Sequence, residues 1–323
     1  MRRTVIAMSA AALLLAGCAA APPVATATPE LEAQAALIES QAESIIESTF
    51  AELSAADAAR DPELFTSRLA GDAAQVRSAE YLVAAQVAES PISELPSDMQ
   101  GIYVSRSDSW PRMFAAVSEP PSDELTPVVY LWVQDAVQEP YRLVAWAHMI
   151  PGAVLPAMPG AVNGAEPLAL GEDGVEPSPR KALEDYVEYL RQGPEGELAA
   201  AFGADSYAEQ LFGARSALTT AAQGAGGAYV DTIQPDFAGT YALATSDGGA
   251  LVFAPLQISS SFSVSDATLQ LSARDLPLLE GSATDKVTYS YRDFVVLSVP
   301  PPGGEELPTV VAAEHHLVSI QPS

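Results

Sequence analysis

The stretch Pro127-Val128-Val129-Tyr130-Leu131-Trp132-Val133-Gln134 decides the fold class. Successive side chains of a strand point to opposite faces, and here both faces are apolar from Val128 to Val133. Such a strand is central and covered on each side. Runs of strand length rich in β-branched and aromatic residues flank it at 102–106, 112–118 and 141–150, separated by Pro, Asp and Ser clusters. Further upstream the period changes. Thr28-Pro29-Glu30 offers an N-cap, a proline at the first helical position and an acid in the first turn. Leu31, Ala35, Ile38, Ile45, Ile46, Phe50 and Leu53 then recur along one helical face. Asp61-Pro62 opens a shorter helix carrying Leu64, Phe65 and Leu69 and stopped by Gly71, and residues 74–88 are read as helical too.

The same order returns downstream. Ser178-Pro179 caps an amphipathic helix carrying Leu183, Tyr186, Val187 and Leu190, and short helices are expected near 195–202 and 206–222. Strands are expected at 229–233, 240–245, 251–258, 268–273, 287–291 with 294–299, and 310–320. Asp247-Gly248-Gly249 marks a hairpin turn. Helices then strands, twice over, is an α+β pattern and not an alternating βαβ one. Residues 151–177 are rich in proline and glycine without periodicity. The expected division is a leader at 1–17, a tether at 18–28, an α+β module at 29–156, a linker at 157–177 and a second module at 178–323. Two short echoes accompany the repeated order: Arg77-Ser78-Ala79 with Arg215-Ser216-Ala217, and Val144-Ala145-x-x-His148 with Val311-Ala312-x-x-His315.

A long helix and shorter ones capped by a curved antiparallel sheet resemble the NTF2-like or cystatin-like class of cone-shaped modules. Trp110-Pro111-Arg112, the strand at 127–134, Pro140-Tyr141-Arg142-Leu143 and Pro151-Gly152-Ala153-Val154-Leu155-Pro156 resemble a family of uncharacterised lipoproteins of high-GC Gram-positive bacteria. Their domain of unknown function would run from about residue 30 to the C-terminus. The resemblance implies location and a two-part architecture, and carries over no catalytic residue.

The N-terminus is read as an address. Arg2 and Arg3 precede an uncharged apolar run at 5–17, which would span only ~20 Å as a helix against a ~30 Å hydrocarbon core. This is the pattern of a secretory leader. Its end, Leu15-Ala16-Gly17-Cys18, resembles a bacterial lipobox, which implies cleavage before Cys18 and diacylglycerol and acyl chains on that residue. Two lipid chains anchor stably where one is marginal. Cys18 is the one cysteine, so neither an internal disulfide nor a thiolate metal site is expected. Asp and Glu number 42 against 15 Lys plus Arg, a net charge of −27, and this argues against a phosphate-binding surface and hence against nucleic acid as a partner. With 48% apolar residues the chain has ample material for a core.

Candidate chemistry is sparse. Ser178-Pro179-Arg180-Lys181 fits S-x-x-K, but no K-T-G accompanies it and Ser178 serves better as an N-cap. The histidines are His148, His315 and His316. Neighbours in a strand face opposite ways, so His315 and His316 cannot converge on one ion, whereas Glu314 and His316 share a face and His148 stands near Trp146. No metal site is expected. The acidic pairs Asp123-Glu124, Glu172-Asp173 and Glu305-Glu306 lack calcium-loop spacing. Trp110, Tyr130, Trp132, Trp146 and His148 are the candidate lining of an apolar pocket, with core packing as the alternative for the aromatics. The expectation is a non-catalytic binding or scaffold lipoprotein on the extracellular face of the cytoplasmic membrane. It would need no cofactor beyond its lipid and would meet an envelope protein or a small apolar ligand. A solute-binding lipoprotein of an importer, or a cell-wall or ester hydrolase, is the alternative.

Overall fold

The computed structural model describes residues 34–88, 90, 92–122, 125–171, 177–303 and 305–322. The leader, Leu15, Ala16, Gly17, Cys18, the tether and residues 28–31 lie outside the described residues, as do Asp123-Glu124 and Glu172-Asp173. Two helices, α1 (Glu39–Ala59) and α2 (Gly71–Gln86), precede β1 (Met99–Val104), β2 (Arg112–Ser118), β3 (Val128–Gln134) and β4 (Arg142–His148). Then α3 (Pro179–Gln192) and α4 (Ser206–Gly224) precede β5 (Tyr229–Pro235), β6 (Tyr241–Ala244), β7 (Ala250–Ser263), β8 (Lys286–Val299) and β9 (Thr309–Pro322). The class is α+β. The first sheet has the order β1-β2-β3-β4 and the second β5-β7-β8-β9, with β6 pairing β7 next to the β5 segment, all antiparallel.

Alternation along the strands builds three cores. Phe114, Tyr130, Trp132 and Leu143 face α1 and α2, where they meet Ile46, Leu53 and Val76. Val252, Ala254, Val295 and Leu297 face α3 and α4, meeting Leu183, Tyr186 and Leu190. The remaining faces pack on each other: Ala115, Leu131 and Val133 of the first sheet and Leu251, Phe253, Phe294 and Val296 of the second form one buried cluster. The layers therefore run helix, sheet, sheet, helix, and β3 is covered on both faces because a second sheet supplies the far cover. Residues 33–323 make one compact unit.

Several local expectations are corrected. Residues 34–38 do not continue α1 towards the N-terminus. Ala35 bridges Arg106, the Ala36 N–H donates to the Ser105 carbonyl (2.9 Å), and the helix starts after Ile38, whose N–H donates to Gln41 Oε1 (3.1 Å). Of the apolar residues at helical spacing there, Ala35 joins the sheet edge and Ile38 is 65% exposed. Asp61 caps only a 3₁₀ turn, Pro62–Phe65. Gly71 opens α2 and does not stop a helix: Leu69 is drawn beside Leu143, and a φ of +59° at Gly71 turns the chain out of that pairing. Residues 268–273 form no strand, since Leu269 and Leu271 pack against the cluster of Ala79, Leu278 and Ile320. Residues 287–299 run through as one strand. Part of the proline- and glycine-rich run packs on the sheets. Ala165 is fully buried, donates to the Val104 carbonyl (2.8 Å) and accepts from the Arg106 N–H (2.7 Å). Pro167 bridges Leu243, so this segment ties the β1 edge to the β6 edge. On the other side Met149 bridges Ala312, tying β4 to β9. At the turn between β6 and β7, Gly248 has φ +91°, as the hairpin signal requires.

Candidate functional site

The seam where β4 and α2 meet β8 and β9 gathers the titratable groups. On the face of β8 and β9 turned to the first sheet stand Arg292, Phe294, Glu314 and His316. Asp293 and His315 stand on the opposite face. The strand alternation read from the sequence is what separates the two neighbouring histidines.

His148 Nδ1 lies 2.5 Å from Glu314 Oε2, joining residues 166 positions apart. The hydrogen bond to Glu314 raises the His148 pKa above 6.5, against a smaller opposing effect of burial. Burial alone would raise Glu314, but His148 and the neighbouring His316 hold it below 4.5. His316 packs edge-on to Trp146, with ring centroids 5.8 Å apart, and burial lowers its pKa below 6.5. On the far face, Asp293 is 1% exposed and accepts from Tyr207 and from His315 Nδ1 (2.7 Å), while Tyr291 stacks on His315 at 4.2 Å. A carboxylate on Nδ1 fixes the ring and leaves Nε2 outward, the arrangement of a braced base as well as of a structural clamp. Ser178, the serine of S-x-x-K, caps α3 and accepts from the Lys181 N–H (3.3 Å).

These titrations oppose each other. A histidine whose pKa is raised by folding stabilises below about 6.5 and loses that contribution as pH rises through its folded value; one whose pKa is lowered stabilises above about 6.5 and loses it on acidification. His148→Gln removes the first and leaves the second. The variant is expected to lose stability more steeply than the parent between pH 7.5 and pH 5.5, read as denaturation midpoints at both values. Parallel losses would mean that His148 and His316 do not titrate as their surroundings dictate.

Two cavities meet at this seam. An inner pocket of about 10 Å³, room for one water-sized group, has Asp72, Trp146, Arg292, Asp293, Phe294 and His316 among its walls. A cleft of about 140 Å³ between the sheets shares Asp72, Ala145 and Phe294 with it. Its other walls include Leu131, Val133, Val144 and Tyr241, with Asp135 and Asp236 among its polar groups. Burial, then the charges of Asp135 and Asp236, push the Tyr241 hydroxyl up to about 12. Burial raises the Asp72 carboxyl although Arg292 Nε stands 3.4 Å away. The cleft is thus apolar inside and negative around its polar groups. Among the described residues no group of three His, Cys, Asp or Glu is placed to hold a metal ion.

The aromatics named from the sequence separate. Tyr130 and Trp132 are fully buried. Trp132 stacks on Phe114 at 4.8 Å and donates to Thr49 (3.2 Å), and Tyr130 donates to the Pro96 carbonyl (2.8 Å). Trp110 lies under the Arg112 guanidinium (4.3 Å) on an open groove with Leu168, Leu170 and Tyr241. Trp146 walls the inner pocket, and His148 pairs with Glu314 beside it. Asp72, Arg292 and Phe294 carried no motif, and sequence reasoning missed them. The alternation of β8 was the one available signal, placing Arg292 and Phe294 on a common face. No curated protein and no solved structure matches the chain. Residues 33–318 match the family model described as a domain of unknown function, DUF8094, and the chain belongs to that family.

Proposed function

We propose that the chain is a non-catalytic binding lipoprotein of the cell envelope, held on the extracellular face of the cytoplasmic membrane by lipid on Cys18. Its two helix-then-sheet halves are tandem NTF2-like or cystatin-like modules, 29–156 and 178–323. The repeated element order supports this pairing. So does the matched use of the echoed arginines. Arg77 on the second helix of one half reaches Asp57 on the first, and Arg215 on the second helix of the other reaches the Leu190 carbonyl on the first. The ligand is a small apolar molecule in the cleft between the sheets. The observation that carries this reading is the cleft itself, about 140 Å³ between the sheets and walled by Leu131, Val133, Val144, Tyr241 and Phe294. Toluene, uncharged, apolar and small enough for a cleft of this volume, should bind saturably, one per chain, in a calorimetric titration. Val144→Phe, which fills the cleft from a half-buried position, should weaken that binding about tenfold or more while leaving the unfolding midpoint in place. Unsaturable partitioning, or binding indifferent to Val144→Phe, would remove the cleft as the ligand site.

A further inference from the structure

The inner pocket holds polar atoms that the protein itself leaves unserved. Trp146 is 3% exposed, yet its indole N–H finds no acceptor in the protein. Arg292 Nε and His316 Nε2 are also buried and without a hydrogen-bond partner, Arg292 being ion-paired to Asp72 without hydrogen-bond alignment, and Asp293, whose Oδ2 serves Tyr207 and His315, leaves its Oδ1 buried and unpartnered. Buried polar atoms are nearly always satisfied, so four on the residues of one small pocket need a common partner. All four residues wall the same void, which admits one oxygen-sized group and lies against the cleft across Asp72, Ala145 and Phe294.

We propose that this pocket is a subsite for the hydroxyl oxygen of the cleft's ligand, an uncharged alcohol with an apolar body. The assignment rests on the reading of the cleft as the ligand site. The indole and the guanidinium can only donate, so they require an acceptor; a neutral imidazole and the Asp72 and Asp293 carboxylates can accept, so they require a donor. A hydroxyl is both. An ammonium group has no lone pair for Trp146 and would face the Arg292 charge. A carboxylate would stand beside Asp72 in a chain of net charge −27. A hydrocarbon would leave all these groups as they are.

The test follows the Trp146 indole N–H resonance of the full chain in detergent micelles, with protein-free micelles as the partition blank. The titrants are cyclohexanol, methylcyclohexane, cyclohexylammonium and cyclohexanecarboxylate. Cyclohexanol should shift that resonance and bind about tenfold more tightly than methylcyclohexane, the worth of one or two neutral hydrogen bonds. Trp146→Phe should erase the difference while methylcyclohexane still binds, and the wild-type series decides the matter even if that variant folds poorly. Equal binding of the alcohol and the hydrocarbon, preference for either ion, or an alcohol that binds without moving the Trp146 signal would overturn the subsite and leave the apolar cleft standing. Failure of all four to saturate would overturn the cleft reading itself.

Discussion

Arg77→Ala is expected to cost about 3–5 kcal/mol of folding stability. Arg77 is 2% exposed. Its Nε and Nη2 donate to both oxygens of Asp57 (2.9 and 2.6 Å), and its Nη1 donates to Glu80 (2.7 Å) and to the Ser93 carbonyl (2.8 Å). Tyr81 adds a hydrogen bond to Asp57 (2.6 Å). One guanidinium therefore fixes α1, α2 and the approach to β1. Alanine would leave two carboxylates facing each other without a cation in a partly buried site, which is the costly way to break such a network. Arg77→Lys keeps the charge but not the planar fork, so it should fall between alanine and the parent. Urea unfolding of the three proteins at one pH checks the order. The surface pair Arg180–Glu184, broken as Glu184→Ala because the Arg180 guanidinium also lies over the Phe237 ring at 4.0 Å, is the control: its partners are nearly half exposed and its loss should cost under about 1 kcal/mol. A loss at Arg77 no larger than at Glu184 would show that the network is as solvated as the control.

Local signals carried the elements well, and long-range pairing set what they missed. The bounds of β2 and β3 follow directly from their apolar runs, and Ser178-Pro179 from capping chemistry. The error at Gly71 has a definite cause. A glycine after Leu69 reads as a helix stop, but Leu69 pairs with Leu143, 74 residues on, and the glycine turns the chain from that contact into α2. The same misreading hid Asp72, the first acid of that helix and a wall of both cavities. The candidate site was legible only where alternation could reach it. That Glu314 and His316 share a face with each other follows from period two, but that the face meets β4 at His148 depends on how two sheets stack. No spacing records that. The apolar character of β3 on both faces did announce a second cover, without saying that another sheet would provide it.

That second cover leads to the other large effect. Phe253→Ala should destabilise by about 3–5 kcal/mol, because the ring is fully buried and its loss leaves a cavity in the core shared by the two sheets. The position of the reporters makes this informative. All three tryptophans, Trp110, Trp132 and Trp146, lie in the first half of the chain, whereas Phe253 lies on β7 of the second. The sequence alone favours halves that fold separately, and then truncating Phe253 would leave the tryptophan transition where it was. The packing argues otherwise. Phe253 shares its cluster with Leu131 and Val133, the segment tying β1 to β6 closes one side, and the Met149–Ala312 bridge closes the other. A loss in the second sheet therefore removes cover from the first. In urea, the tryptophan fluorescence midpoint of Phe253→Ala should fall together with the far-UV circular dichroism midpoint, as one transition. A fluorescence midpoint that stays with the parent while the dichroism splits into two steps would mean that the sheets touch without sharing stability, and that each half stands on its own helix-covered core.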